Sequence, residues 1–225
     1  FAYTKSLVFV VVLFLPFFIA WFHNRKIKDG PVFYVLMISL SAYTAYNMLS
    51  GPIACVVFSF ILLSHFIANF RRNKDAGFIM RLFRSVIHIP RYFIILSIVT
   101  VAVAMFTHYL GGFNAESHVK QVSIAYRYSR LPVGLKEHFS SKGLWLLSLM
   151  IVINVVVAYT RRKDEVARKL TFFFWWAMAF CTLYTLMLPI GGYRFYRPNI
   201  IRRDLFSPVI ITLVFFYVLS AYHLL

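Results

Sequence analysis

Residues 91–110 read RYFIILSIVTVAVAMFTHYL, and after Arg91 no Lys, Arg, Asp or Glu interrupts the run. A helix rises 1.5 Å per residue, so twenty residues cover about 30 Å, the hydrocarbon thickness of a bilayer. A membrane strand would instead alternate apolar and polar positions over roughly ten residues. Six further runs have the same continuous character: Ser6–Phe22, Pro31–Leu49, Pro52–Phe70, Leu144–Thr160, Leu170–Ile190 and Pro208–Leu225. The pattern predicts an all-α fold, a polytopic transmembrane helix bundle of about seven spans forming one transmembrane domain over 1–225. Pro16, inside the first run, predicts a kink there.

Composition points the same way. Of the 225 residues 61% are hydrophobic and 14% charged, against roughly half and a quarter in soluble domains, which excludes a soluble globular protein. Lys and Arg number 24 against 7 Asp and Glu, for a net charge of +17. That charge must lie outside the hydrocarbon, facing membrane lipids or a phosphorylated substrate rather than nucleic acid. Cys55 and Cys181 both sit in apolar runs, so neither a disulfide framework nor a cysteine-rich metal site is expected. The runs contain no Asp or Glu, which argues against a pump built on buried carboxylates. His65 and His108 fall near opposite ends of their runs, too far apart to ligate one haem. His65 and His223 share an end, and there the plainer reading is hydrogen bonding between helices. The chain opens at Phe1 with an apolar run under way by Leu7; we read it as a piece of a longer protein, a cleaved signal peptide being the competing reading.

Basic residues set the expected orientation. One set of alternate loops carries Arg25, Lys26 and Lys28, then Arg71, Arg72, Lys74, Arg81, Arg84 and Arg91, then Arg161, Arg162, Lys163, Arg168 and Lys169. The other set carries Lys5, then Lys120, Arg127, Arg130, Lys136 and Lys142, then Arg194, Arg197, Arg202 and Arg203. The first set is richer and sits in shorter connections, so the positive-inside rule places it in the cytoplasm. Basic stretches such as RRKDEVARK then read as topology determinants. Between two of these spans GFIMRLFRSVIH, residues 77–88, places Phe78, Ile79, Leu82, Phe83 and Val86 on one helical face beside Arg81 and Arg84. This predicts an interfacial amphipathic helix on anionic lipid, with docking of a partner as the alternative.

Two external loops carry the candidate chemistry. The long external loop, Gly111 to Lys142, is too long for a tight connection. Its segment Ala115–Arg130 has Val119, Val122 and Tyr126 at helical spacing, with Asn114 as a candidate N-cap and Pro132 beyond the expected end. It offers Glu116, His118, Glu137 and His138 as acids and bases. Glu116 beside His118 is the compact pair, and Glu116 is the catalytic candidate, set against ordinary solvated loop chemistry. The second loop, GGYRFYRPNIIRRDLFSP over residues 191–208, interleaves Arg194, Arg197, Arg202 and Arg203 with Tyr193, Phe195 and Tyr196. Guanidinium forks match phosphate oxygens in pairs, and aromatic rings suit a sugar or an isoprenoid chain. Asp204 can orient an arginine or hold a divalent cation with the phosphate. The competing reading lets these arginines snorkel to outer-leaflet phosphates and do nothing further. The exits His108–Phe113 and Leu188–Tyr193 share a Gly-Gly-aromatic ending, a hint of duplicated geometry.

Trp175-Trp176, then LYTLMLP over residues 183–189, then GGYRFYRP over residues 191–198, resemble the C-terminal membrane region of bacterial class C glycosyltransferase-like proteins, which use polyprenyl-phosphate sugars. The resemblance covers roughly the last sixty residues, and the earlier spans by texture. It implies a multi-pass protein of the bacterial cytoplasmic membrane, serving the cell envelope, that transfers a sugar from a lipid-linked phosphosugar at the outer face. The substrate-binding set would be Tyr193, Arg194, Tyr196, Arg197, Arg202, Arg203 and Asp204. Members of the class keep an acidic catalytic residue in their first outer loop; nothing acidic precedes the first span here, so on this reading that half lies upstream of Phe1. The alternative class is a non-catalytic membrane subunit or a transporter of lipids or lipid-linked sugars.

Overall fold

The computed structural model describes residues 2–47, 50–73, 77–111, 122–191, 201 and 203–224. All regular structure among them is helical: α1 Ala2–Phe22, α2 Pro31–Tyr46, α3 Ser50–Arg72, α4 Phe78–Ile87, α5 Arg91–Gly111, α6 Ile124–Phe139, α7 Lys142–Thr160, α8 Glu165–Met187 and α9 Arg203–Leu224, with a 3-10 turn over Leu188–Gly191. Five of these helices, α3, α5, α7, α8 and α9, are long and apolar enough to cross a membrane. Val8–Phe22 and Pro31–Tyr46 are apolar but shorter. The chain is an integral membrane protein by this measure.

The distribution of side chains fits hydrocarbon as the surrounding medium. Large apolar residues face outward, among them Val35 and Leu36 on α2, Ile98 and Met105 on α5, Leu149 and Val156 on α7 and Trp175 on α8. Small polar ones turn inward: Ser41, Thr44, Ser97, Thr100, Asn154 and Ser220 are buried. In water this arrangement would expose apolar surface on a scale that soluble monomers avoid.

The chain divides into two compact units, Phe1–Ser117 and His118–Leu225. In the first, Leu13 and Phe17 of α1, Met37 of α2, Phe58 of α3, Ile89, and Phe93 and Leu96 of α5 form a buried core. The rings of Phe17 and Tyr92 stack at 5.6 Å, and Phe93 adds a contact at 4.9 Å. Helices α2 and α5 run side by side, joined by Ser41 and Thr100 with their hydroxyls 2.8 Å apart. Thr100 donates its one proton to the Leu96 carbonyl at 2.7 Å, so Ser41 must be the donor across the interface. At the corner into α3, Gly51 lies against α2: an added Cβ would fall 2.6 Å from the Ala45 carbonyl oxygen, so only hydrogen fits.

Helix α4 is tied to the end of α3. The Arg81 guanidinium hydrogen-bonds the Phe70 carbonyl and lies 3.8 Å over the Phe70 ring, while Asn69 Nδ2 donates to the Ser85 carbonyl at 3.1 Å. Ile79, Phe83, Val86 and Ile87 point away from the unit. Leu82, expected on that outward face, is instead half-buried beside Ser85. At 100° per residue it belongs to the anchoring stripe with Arg81 and Ser85.

In the second unit α9 packs along both α7 and α8. Phe173, Ala177, Phe180, Cys181 and Tyr184 of α8 are buried, as are Phe206, Val209 and Phe216 of α9. Asn154 Nδ2 donates to Ser220 Oγ at 2.8 Å, and Ser220 Oγ passes a hydrogen bond to the Tyr217 carbonyl at 3.0 Å. The relay has the same form as the one through Thr100. The RRKDEVARK stretch is mostly helical: Asp164 caps α8 by accepting from Val166 N at 3.2 Å, and Glu165 pairs with Lys169 at 3.0 Å. Helix α8 ends at Met187 because Pro189, two residues on, has no N–H to continue it. Helix α5 stays α-helical to Gly111, so the two Gly-Gly exits do not share one described geometry.

A double-mutant cycle on Asn154→Ala and Ser220→Ala should give a coupling of about 0.5–1.5 kcal/mol in detergent unfolding. Additive single effects would show that the bond contributes nothing to α7–α9 packing.

Candidate functional site

One end of the second unit is built around α6. Ser123 caps the helix, its side chain accepting from Tyr126 N at 3.4 Å. The helix then continues through Pro132 to Phe139. This corrects the expected helical run through Val122 and the expected end before Pro132. Asn114 lies outside the described residues. Pro132 is exposed, on a side of the helix where the clash and lost N–H bond that a proline brings are more easily accommodated.

The faces of α6 decide what it holds. Arg127 is 4% exposed; its Nε donates to the Val122 carbonyl at 2.9 Å and its Nη1 to the Pro189 carbonyl at 3.2 Å. Tyr128 OH donates to the Leu186 carbonyl at 3.0 Å. Seven residues beyond Arg127, Gly134 meets Ile201 so closely that an added Cβ would lie 2.8 Å from the Ile201 Cβ. Tyr184 OH donates to the Leu205 carbonyl at 2.9 Å, linking α8 to the start of α9. Thus Pro189 and Ile201, which precede and follow residues 192–200, are both held against α6.

The candidates from sequence fall in three groups. Glu116, His118, Tyr193, Arg194, Tyr196, Arg197 and Arg202 lie outside the described residues. Arg203 and Asp204, expected in a loop, begin α9, which starts five residues before Pro208; of these two only the backbone is described. A proline in the second turn of a helix removes one hydrogen bond without ending it, and Thr212 Oγ1 donates to the Pro208 carbonyl at 2.7 Å. Glu137 and His138 close α6. Glu137 is exposed. His138 packs inward, Nδ1 2.9 Å from the Gly134 carbonyl and the ring 4.9 Å from that of Phe206. With Nδ1 as donor, Nε2 is a buried lone pair with no hydrogen-bond partner among the described residues.

Arg127 is the residue that sequence reasoning counted without singling out. Its only signal was helical spacing from Gly134, two positions on one face of a segment otherwise rich in exposed polar groups. No group of three or more His, Cys, Asp and Glu that could hold a metal ion occurs among the described residues. The rings of His65 and His223 lie against Phe93 and Tyr222, at 5.2 and 5.0 Å.

No protein-family model, curated protein or solved structure matches the chain.

Gly134→Leu should lower the stability of the detergent-solubilised protein by about 1–3 kcal/mol, because Ile201 must be displaced. Gly143→Leu, where the space is open, should be neutral or stabilising in the same thermal melt. Equal effects at the two positions would dissolve the proposed contact between α6 and Ile201.

Proposed function

We propose that the chain spans the membrane seven times and binds the phosphate of a lipid-linked phosphosugar at the outer face, as part of a class C-like glycosyltransferase of the bacterial cytoplasmic membrane. The observation that carries this reading is the clamping of both borders of the 192–200 segment, at Pro189 and Ile201, onto α6. The proposal gives Arg194 and Arg197 the role of a cradle, since preorganised guanidinium groups stabilise charge on a leaving phosphate without reorganising. Arg202, Arg203 and Asp204 continue the segment into α9. Tyr193 and Tyr196 would line the path of the isoprenoid chain, and Glu116 would be the acid or base.

The seven-span topology rests on depth matching. Ser41 lies ten residues into α2 and Thr100 nine residues into α5, so their hydrogen bond puts the shorter helix at the same depth as a helix long enough to cross. Helix α1, at 21 residues, extends about 31 Å. In this topology the outward apolar side of α4 lies in the headgroup region of the cytoplasmic leaflet, with Arg84 beside it.

A non-catalytic subunit is the second reading, favoured by the guanidinium groups that already serve structure. Arg81, Arg127 and Arg161 each hydrogen-bond a carbonyl at the C-terminal end of a helix or of the turn that follows it. Two experiments separate the readings. In spheroplasts of a variant lacking Cys55 and Cys181, Ser140→Cys should react with an impermeant maleimide from outside, and Lys163→Cys only after permeabilisation. The reverse pattern overturns the orientation. In detergent, Arg194→Gln/Arg197→Gln should weaken binding of a polyprenyl-phosphate analogue at least tenfold, the loss expected for two charge-assisted contacts, with the melting temperature retained. Unchanged binding leaves the anchoring role.

A further inference from the structure

The end of α1 builds a second feature, in the first unit and independent of the arginine-rich segment. Asn24 has a positive φ of 52°, Asn24 N donates to the Trp21 carbonyl at 3.2 Å and Arg25 N to the Ala20 carbonyl at 2.7 Å. This pair of bonds is the Schellman reversal, which closes a helix on a left-handed residue, a conformation Asn tolerates. The chain therefore folds back on the helix it has just left. Ile27 packs against the core of the unit, and the reversal sets Arg25 and Lys26 beside the last turns of α1.

The result is an open cleft of about 480 Å³. Its long wall is apolar: Val12, Leu15, Pro16, Ile19 and Ala20, one stripe of α1 at helical spacing. From Val12 to Ala20 that wall extends about 12 Å along the axis. Its far end is cationic, closed by Arg25 and Lys26. Both are exposed, and the ion pair described in the chain joins Lys169 to Glu165 rather than either of them. In the seven-span topology proposed above, on which this inference rests, the apolar wall lies in hydrocarbon and ends at two positive charges where the helix leaves it, which matches an amphiphile with one chain and a net negative headgroup. A zwitterionic lipid would bring its own cation to the same end and gain less.

We propose that this cleft is a binding site for an anionic phospholipid, the acyl chain along α1 and the phosphate on Arg25 and Lys26. Specific retention is what separates it from the general lipid annulus. The full chain, reconstituted in nanodiscs of mixed phosphatidylglycerol and phosphatidylcholine and then released into detergent, should carry one phosphatidylglycerol by native mass spectrometry. Arg25→Gln/Lys26→Gln should reduce that retention by roughly tenfold or more, since each basic residue near a lipid surface contributes comparably. Ala20→Trp, which fills the cleft and leaves both charges, should abolish it as well. Arg71→Gln/Arg72→Gln, at the exposed end of α3, should retain the lipid, and thermal melts establish that each variant is folded. Equal retention of the two lipids, no retained lipid, or loss in the charge variant with none in Ala20→Trp would each overturn the site, the last by reducing it to surface attraction.

Discussion

Inside a bilayer every backbone and side-chain polar group has to find its partner within the protein, because lipid offers none. Two of the cross-helix hydrogen bonds among the described residues, both between side chains, meet that demand by the same device. Ser41 donates to Thr100, which donates to the Leu96 carbonyl; Asn154 donates to Ser220, which donates to the Tyr217 carbonyl. In each case the receiving hydroxyl spends its proton on its own helix and offers a lone pair to the neighbour. Since apolar packing gains little from being moved out of lipid tails, such relays and close approaches between small residues must hold the helices together. Gly51 against the Ala45 carbonyl is one of those approaches in the first unit.

Helix ends pose the complementary problem, with up to four carbonyls unpaired at each C-terminus. Here cationic and phenolic side chains answer it. Arg81 serves the end of α3, Arg161 the end of α9, and Arg127 with Tyr128 the end of α8 and the turn beyond it. A positive group at a helix C-terminus also opposes the macrodipole favourably. Part of the large positive charge is thereby accounted for by architecture, without invoking a ligand.

The apolar runs made the membrane helices legible to within a few residues, because twenty uncharged positions leave a chain little choice. Proline produced two of the misreadings. Pro132 was expected beyond a helix and Pro208 at the first position of one, yet α6 runs through the former and α9 begins five residues ahead of the latter. Local rules treat proline as punctuation, whereas tertiary contacts, here Gly134 on Ile201 and Tyr184 on the Leu205 carbonyl, stabilise enough helix on both sides to carry it through. The burial of Arg127 was illegible for a related reason. Its partners, the carbonyls of Val122 and Pro189, include one that is 62 residues away, and no local pattern encodes that meeting. The candidate site was legible only as composition, four arginines interleaved with aromatic rings over residues 193–203.

Capping duty also bears on what that segment is for. The carbonyls of Leu186 and Pro189 already have donors in Tyr128 and Arg127, so arginines further along are not required to close α8. The start of α9 presents N–H groups, which need acceptors, and a guanidinium group has none to give. The described ends of α8 and α9 therefore call for no arginine from the 192–200 segment. A phosphate, whether of a bound carrier lipid or of the surrounding leaflet, has the acceptor geometry that guanidinium pairs fit. The contacts of Arg127 with the Pro189 carbonyl and of Gly134 with Ile201 are what support the bound carrier as the proposal.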